Sequence, residues 1–250
     1  MMPYMSYIPV LGQAVINLSQ WTIQDWPVLA ILHATFAAWN FRKNADLAKL
    51  SPLEALLATW ILSFGGTTIS FLPLAMYYLP GDFLFKGLEI SSPITYPVLA
   101  LADLVSKTIS ITTNGVDAVR FHSSGRLGLQ NSAFAAIFCG FISGCGGGVL
   151  GNLVELNKGS SWTLKTPSQI HSPNASLLMS LFGACIYWST TYLNKIYPST
   201  IDIHLDRTAS IGLTFLSIAS IWLFSSFSNA TKSNVNKAKP RVRKAGRKIE

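Results

Sequence analysis

The 250-residue chain is half hydrophobic, has only 12% charged residues and a mean hydropathy of +0.37, which excludes an ordinary soluble domain and reads as a polytopic membrane protein. Its formal charge of +8 belongs to one end. In residues 229–250, Lys232, Lys237, Lys239, Arg241, Arg243, Lys244, Arg247 and Lys248 stand against Glu250 alone, so the nearly neutral body offers no basis for nucleic-acid binding.

The N-terminal residues 1–24 lack the basic n-region of a cleaved signal peptide and read as an extramembrane segment. The first span, Trp26 to Phe41, is flanked by Trp21 and Trp26 as interfacial aromatics and closed by Arg42 and Lys43. Pro52 to Leu79 follows, with Glu54 as its one charge and with interruptions at Gly65-Gly66 and Pro73. Residues 94–121 begin apolar, then turn to Thr and Ser with Asp103, Lys107 and Asp117 embedded. Asn131 to Val154, Asn174 to Leu193 and Thr208 to Ser228 are uncharged spans.

Arg42, Lys43 and Lys49 follow the first span, Lys158 and Lys165 precede the sixth element, and the tail is the most basic segment. The positive-inside rule puts all three on the cytosolic side. They fall together if residues 94–121 form two short tilted helices, or one crossing and a re-entrant piece. The expected fold is therefore all-α, with about seven transmembrane helices, the N-terminus outside and the C-terminus cytosolic. The last four residues, Arg247-Lys248-Ile249-Glu250, resemble a dilysine-type retrieval signal, which is read from the cytosol.

Two glycine interruptions are symmetrically placed. Gly65-Gly66 in the second span matches Gly144, Gly146, Gly147 and Gly148 in the fifth, each the middle of a group of three. Corresponding breaks point to an inverted repeat, with repeat one at about 25–106, repeat two at about 107–193 and a last helix at 208–228. Unwound carbonyls at such breaks replace part of a cation's water shell, and Ser143, Thr67, Thr68, Thr112 and Thr113 would add hydroxyls. Asp103 and Lys107 lie one turn apart on one face, so their expected partner is each other; alternatively Lys107 lines a conduit.

Several collinear stretches resemble the trimeric intracellular cation channel family. ATWILSFGGTTISF (58–71) resembles its second helix, and Asp103-Leu104-Val105-Ser106-Lys107 its third-to-fourth helix junction. Residues 131–156 resemble its fifth helix with the glycine cluster, and SPNASLLMSLFGACIYW (172–188) the start of its sixth. The resemblance implies a homotrimer with one pore per protomer in endoplasmic reticulum or nuclear envelope membranes. It further implies conduction of monovalent cations, mainly potassium, as counter-ion current for calcium release and uptake.

The chain also departs from the family. Animal members hold a phosphoinositide headgroup with a Lys-Glu-x-x-Arg motif, whereas here Val116 stands at the lysine and Asp117 and Arg120 remain. Lys107 and Arg120 are the residues left to meet a lipid headgroup; no metal and no other cofactor is expected. The family's lysine before the glycine cluster is Ser143 here.

The alternatives are a secondary transporter with inverted repeats and a non-conducting scaffold acting through its tail. The tail, 229–250, is expected to be disordered and to lie on the anionic leaflet. Cys139, Cys145 and Cys185 have no paired spacing and read as reduced packing residues. His33, His122, His171 and His204 are scattered and form no catalytic motif, so the chain is not expected to be an enzyme.

Overall fold

A computed structural model describes residues 7–23, 26–44, 58, 83–121, 129–153, 173–196 and 205–238. In chain order these form α1 (Tyr7–Ser19), a two-residue-strand hairpin of β1 (Thr22–Ile23) and β2 (Trp26–Pro27), α2 (Val28–Asn44) and α3 (Phe83–Ile90). Then come α4 (Ser92–Arg120), a single 3₁₀ turn (Leu129–Asn131), α5 (Ala133–Leu153), α6 (Ala175–Ile196) and α7 (Arg207–Ala238). Of these helices, Ser92–Arg120, Ala133–Leu153 and the Arg207–Ser228 part of α7 are long and apolar enough to cross a membrane.

Local chemistry sets the helix starts. Ser132 Oγ accepts from the Ala135 amide, Asn174 Oδ1 from Leu177 and Asp206 Oδ2 from Thr208, so α5, α6 and α7 each begin on a side-chain cap. Pro93 stands in the first turn of α4, where a missing amide proton is harmless. Within the helices, hydroxyls bond back to the preceding turn, as Thr108 does to Leu104 O and Thr214 to Ser210 O, each at 2.8 Å. That satisfies a polar group without water.

Residues 94–121 do not divide. α4 runs unbroken for 29 residues, about 43 Å at 1.5 Å per residue, more than one hydrocarbon thickness. The extra length and the embedded Thr-Thr-Asn-Gly are absorbed by a π-helical stretch at Thr112–Asp117 rather than by a turn. The boundary drawn between residues 106 and 107 falls inside this helix.

α5 likewise continues through Gly144, Gly146, Gly147 and Gly148 without the expected interruption. Close packing accounts for two glycines of this helix: a Cβ on Gly140 would come within 2.7 Å of Val116 Cγ2, and one on Gly144 within 2.5 Å of Ile111 Cγ1. The matching Gly65-Gly66 lies outside the described residues, as does the Pro52–Leu79 span apart from a buried Ala58.

The two chain ends differ from expectation as well. Residues assigned to an extramembrane segment form the apolar helix α1, whose Val15 belongs to the main core with Leu104, Ile111, Tyr187 and Ile211. The last helix extends to Ala238, into the segment expected to be disordered. A second, smaller core clasps α2 to α4 through Phe36, Ala38, Trp39, Leu99 and Ala100.

Contacts fix each helix's direction. α1 and α7 are antiparallel, since Gly12 faces the Thr208 carbonyl and Gly212 that of Ile8. α2 and α4 are antiparallel, with His33 at Asp103 and Phe36 and Trp39 at Tyr96. α5 is antiparallel to both α4 and α6, through Gly140 against Val116 and Ala184 and Gly144 against Ile111 and Ser180. α6 turns back into α7, where the Leu205 amide donates to Thr190 O. Consequently α2, α5 and α7 finish at one end of the bundle and α4 and α6 at the other. Arg42 and Lys43 in the last turn of α2 therefore lie at the same end as the last turns of α5 and α7. α4 begins at the end where α2, α5 and α7 finish, and residues 94–121 pass through the bundle once.

Candidate functional site

The polar centre is Asp117, the last residue of the π-helical stretch. Gly115 makes the position possible: a Cβ there would lie 2.5 Å from Gly140 Cα, so the wide turn presses backbone to backbone on α5. Asp117 is thereby delivered to α6 and α7 on the other side. Its carboxylate accepts from Tyr187 Oη at 3.0 Å to both oxygens, from Tyr192 Oη at 2.5 Å, and from Arg207 Nε at 2.9 Å. Arg207 Nη2 also lies 2.9 Å from Oδ2 and donates to Thr113 Oγ1 at 3.3 Å. The two tyrosine rings meet edge to face, their centroids 6.3 Å apart.

Exposure is graded across this cluster. The Asp117 side chain is 4% exposed and that of Arg207 44%, so the guanidinium sits between the buried carboxylate and the outside. Arg120, one turn beyond Asp117, lays its guanidinium 4.7 Å over the Tyr192 ring and donates to the Gln130 carbonyl. The cluster thus holds two guanidinium groups and one carboxylate.

A second polar group lies further along α4. His33 Nδ1 is 2.8 Å from Asp103 Oδ1, and Lys107 Nζ donates to Ser176 Oγ at 2.7 Å. Asp103 and Lys107 therefore turn to different helices instead of to each other: α4 faces α2 on one side and the start of α6 on the other, and each offers a nearer partner. Ser180 donates to Ser176 O at 2.9 Å, and its Oγ would be 2.7 Å from a Cβ on Gly144.

The expected site residues thus separate. Lys107, Gly144 and Ser180 come together where α4, α5 and α6 meet, and Asp103 is one turn from them. Arg120 belongs to the Asp117 cluster and is remote from Lys107, since three helical turns intervene. Ser143 is half-buried, a Cβ on Gly146 would make only an ordinary 3.6 Å contact, and one on Gly148 would meet nothing within 4 Å. Thr112 spends its proton on Thr108 O, and Thr113 accepts from Arg207. Gly65, Gly66, Thr67 and Thr68 lie outside the described residues.

Tyr187, Tyr192 and Arg207 were not singled out from the sequence. The signal available was Asp117 itself, because a carboxylate in an apolar helix requires a cation and donors. Arg207 stands one residue before the last expected span, Thr208 to Ser228, and is the basic residue nearest its start. Among the described residues no three His, Cys, Asp or Glu side chains converge on a metal-binding geometry. Set against known protein families, curated proteins and solved structures, the chain matches none of them.

Proposed function

We propose that the chain is a monovalent-cation channel, conducting mainly potassium across an intracellular membrane, with a conduit inside each protomer. One observation carries the reading. Asp103, Lys107 and Asp117 lie on a single helix long and apolar enough to cross a membrane, and all three turn inward, to α2, α6 and α6–α7 respectively. Ionisable groups at membrane depth are costly and line bundle interiors or water paths; a helix that only packed would be apolar at those positions.

The collinear resemblance supplies the ion class. In this reading the protein assembles as a homotrimer in the endoplasmic reticulum or nuclear envelope and gives counter-ion current for calcium movements. The basic tail then lies on the cytosolic, anionic leaflet. The charges that follow the first span, precede the sixth element and fill the tail support that orientation by the positive-inside rule.

The test is electrical. Purified protein in a planar bilayer under a potassium gradient should give unitary openings that reverse near the potassium equilibrium potential with no co-substrate. Saturating, substrate-dependent flux without resolvable openings would assign a transporter instead. Removing residues 239–250 should leave the openings intact, and their loss would favour a tail-dependent scaffold.

A further inference from the structure

We propose that Asp117, with the hydroxyls of Thr113, Tyr187 and Tyr192, forms a binding site for a monovalent cation, and that the Arg207 guanidinium occupies it as a tethered ion. The proposal deepens the channel reading by assigning a point of ion exchange. Its test reads binding, not current, so the two fail separately.

The argument begins with the donors. The Asp117 carboxylate accepts the hydrogen-bond protons of Tyr187 and Tyr192 from α6 and faces a cation position on α7's side that Thr113 Oγ1 also borders. Monovalent cations are held by such neutral and singly charged oxygen sets, which replace their water shell. What fills the position is the side chain of Arg207, bonded to Asp117 through Nε at 2.9 Å and to Thr113 through Nη2 at 3.3 Å.

Occupation by a side chain differs from a buried structural ion pair in one respect. Here the anion is almost fully enclosed while its cation is 44% exposed. Arg207 is also the first residue of α7, with the helix start held independently by Asp206 through the Thr208 amide. Its side chain therefore has room to swing outward without unwinding the helix or losing the cap. Outward movement uncovers a carboxylate already supplied with hydroxyls, and an incoming potassium or sodium ion restores neutrality.

Two events compete with cation entry. Asp117 could instead take up a proton, or Arg120 could leave the Tyr192 ring and the Gln130 carbonyl and pair with it. Both make the uncovered site indifferent to alkali cations, which the experiment detects.

R207Q protein in detergent is melted in potassium chloride and in choline chloride of equal ionic strength, beside wild type and the D117N/R207Q double variant. The expected result is a Tm for R207Q several degrees higher in potassium than in choline. Wild type should shift less and the double variant not at all. Equal melting of R207Q in both salts overturns the proposal. Should R207Q not survive purification, wild-type protein is labelled with phenylglyoxal and Arg207 modification followed by mass spectrometry, with Arg120 as internal reference. Potassium should then accelerate labelling of Arg207 several-fold over choline, whereas equal rates overturn the proposal.

Discussion

Arg207 donates from Nε to the Asp117 carboxylate at 2.9 Å, joining residues 90 positions apart and fastening the start of the last helix to the π-helical part of α4. The two partners are unequal, since the carboxylate is enclosed and the guanidinium is not. Removing one or the other should therefore have different consequences. R207Q leaves a buried anion without its cation and should cost roughly 3–5 kcal/mol. D117N leaves an arginine free to reach solvent, while its amide still accepts from the tyrosines, and should cost about 1–2 kcal/mol. The double variant should lose well under the sum of the two single losses, because D117N removes the anion that R207Q strands. Thermal unfolding in detergent, without alkali cations, measures all three; additive losses would mean the pair is not coupled.

The glycines of α4 and α5 should separate sharply under alanine substitution. A Cβ at Gly115 meets backbone 2.5 Å away, an obstacle no rotamer change relieves. G115A should therefore destabilise by about 1–3 kcal/mol and part α4 from α5. G148A places its methyl in open space within a continuous helix and should be neutral or stabilising by up to about 1 kcal/mol. The same unfolding assay decides, and a large loss in G148A would contradict the packing described.

How far the sequence reached follows from these positions. Apolar run length identifies α2, α5 and α6 to within a few residues and the start of α7, whose end lies ten residues past the expected Ser228 because its last turns are polar. The glycine cluster was misread as a break since propensity speaks for the isolated helix. Close approach of Val116 and Ile111, which favours glycine at 140 and 144, is a tertiary fact. The division of residues 94–121 rests on where the basic segments fall, with its junction at 106 and 107, whereas packing carries α4 through as one helix with a π-helical stretch at Thr112–Asp117 against Gly140. The need of Asp117 for a partner was legible, but its partners, 70 to 90 residues away, were not.

The docking of α1 on α7 rests on a contact closer than side chains allow. A Cβ on Gly12 would stand 1.8 Å from the Thr208 carbonyl oxygen, and one on Gly212 2.3 Å from that of Ile8. Both obstacles are backbone, so G12A and G212A should each lift α1 from α7 without unfolding α4 to α6. Hydrogen exchange should show faster exchange confined to residues 7–19 and the facing turns of α7. Unchanged protection in G12A would mean that α1 is held elsewhere.

Lys107 offers the most direct link between the proposed conduit and a single charge. Its ammonium meets one hydroxyl, Ser176 Oγ, and its nearest carboxylate on the same helix, Asp103, is engaged with His33. A positive charge of this kind beside a cation path repels the permeating ion. At about 8 Å in a water-like dielectric the repulsion is about 0.5 kcal/mol, roughly a twofold depletion of local cations. K107M, which keeps the length of the side chain and removes the charge, should therefore raise unitary potassium conductance roughly twofold at low salt. The increase should shrink as salt screens the charge, and K107R should stay near wild type. Recordings of the three proteins over a range of potassium concentrations test this. Equal conductance in K107M and wild type at low salt would place Lys107 away from the ion path and leave it as a helix-packing residue between α4 and α6.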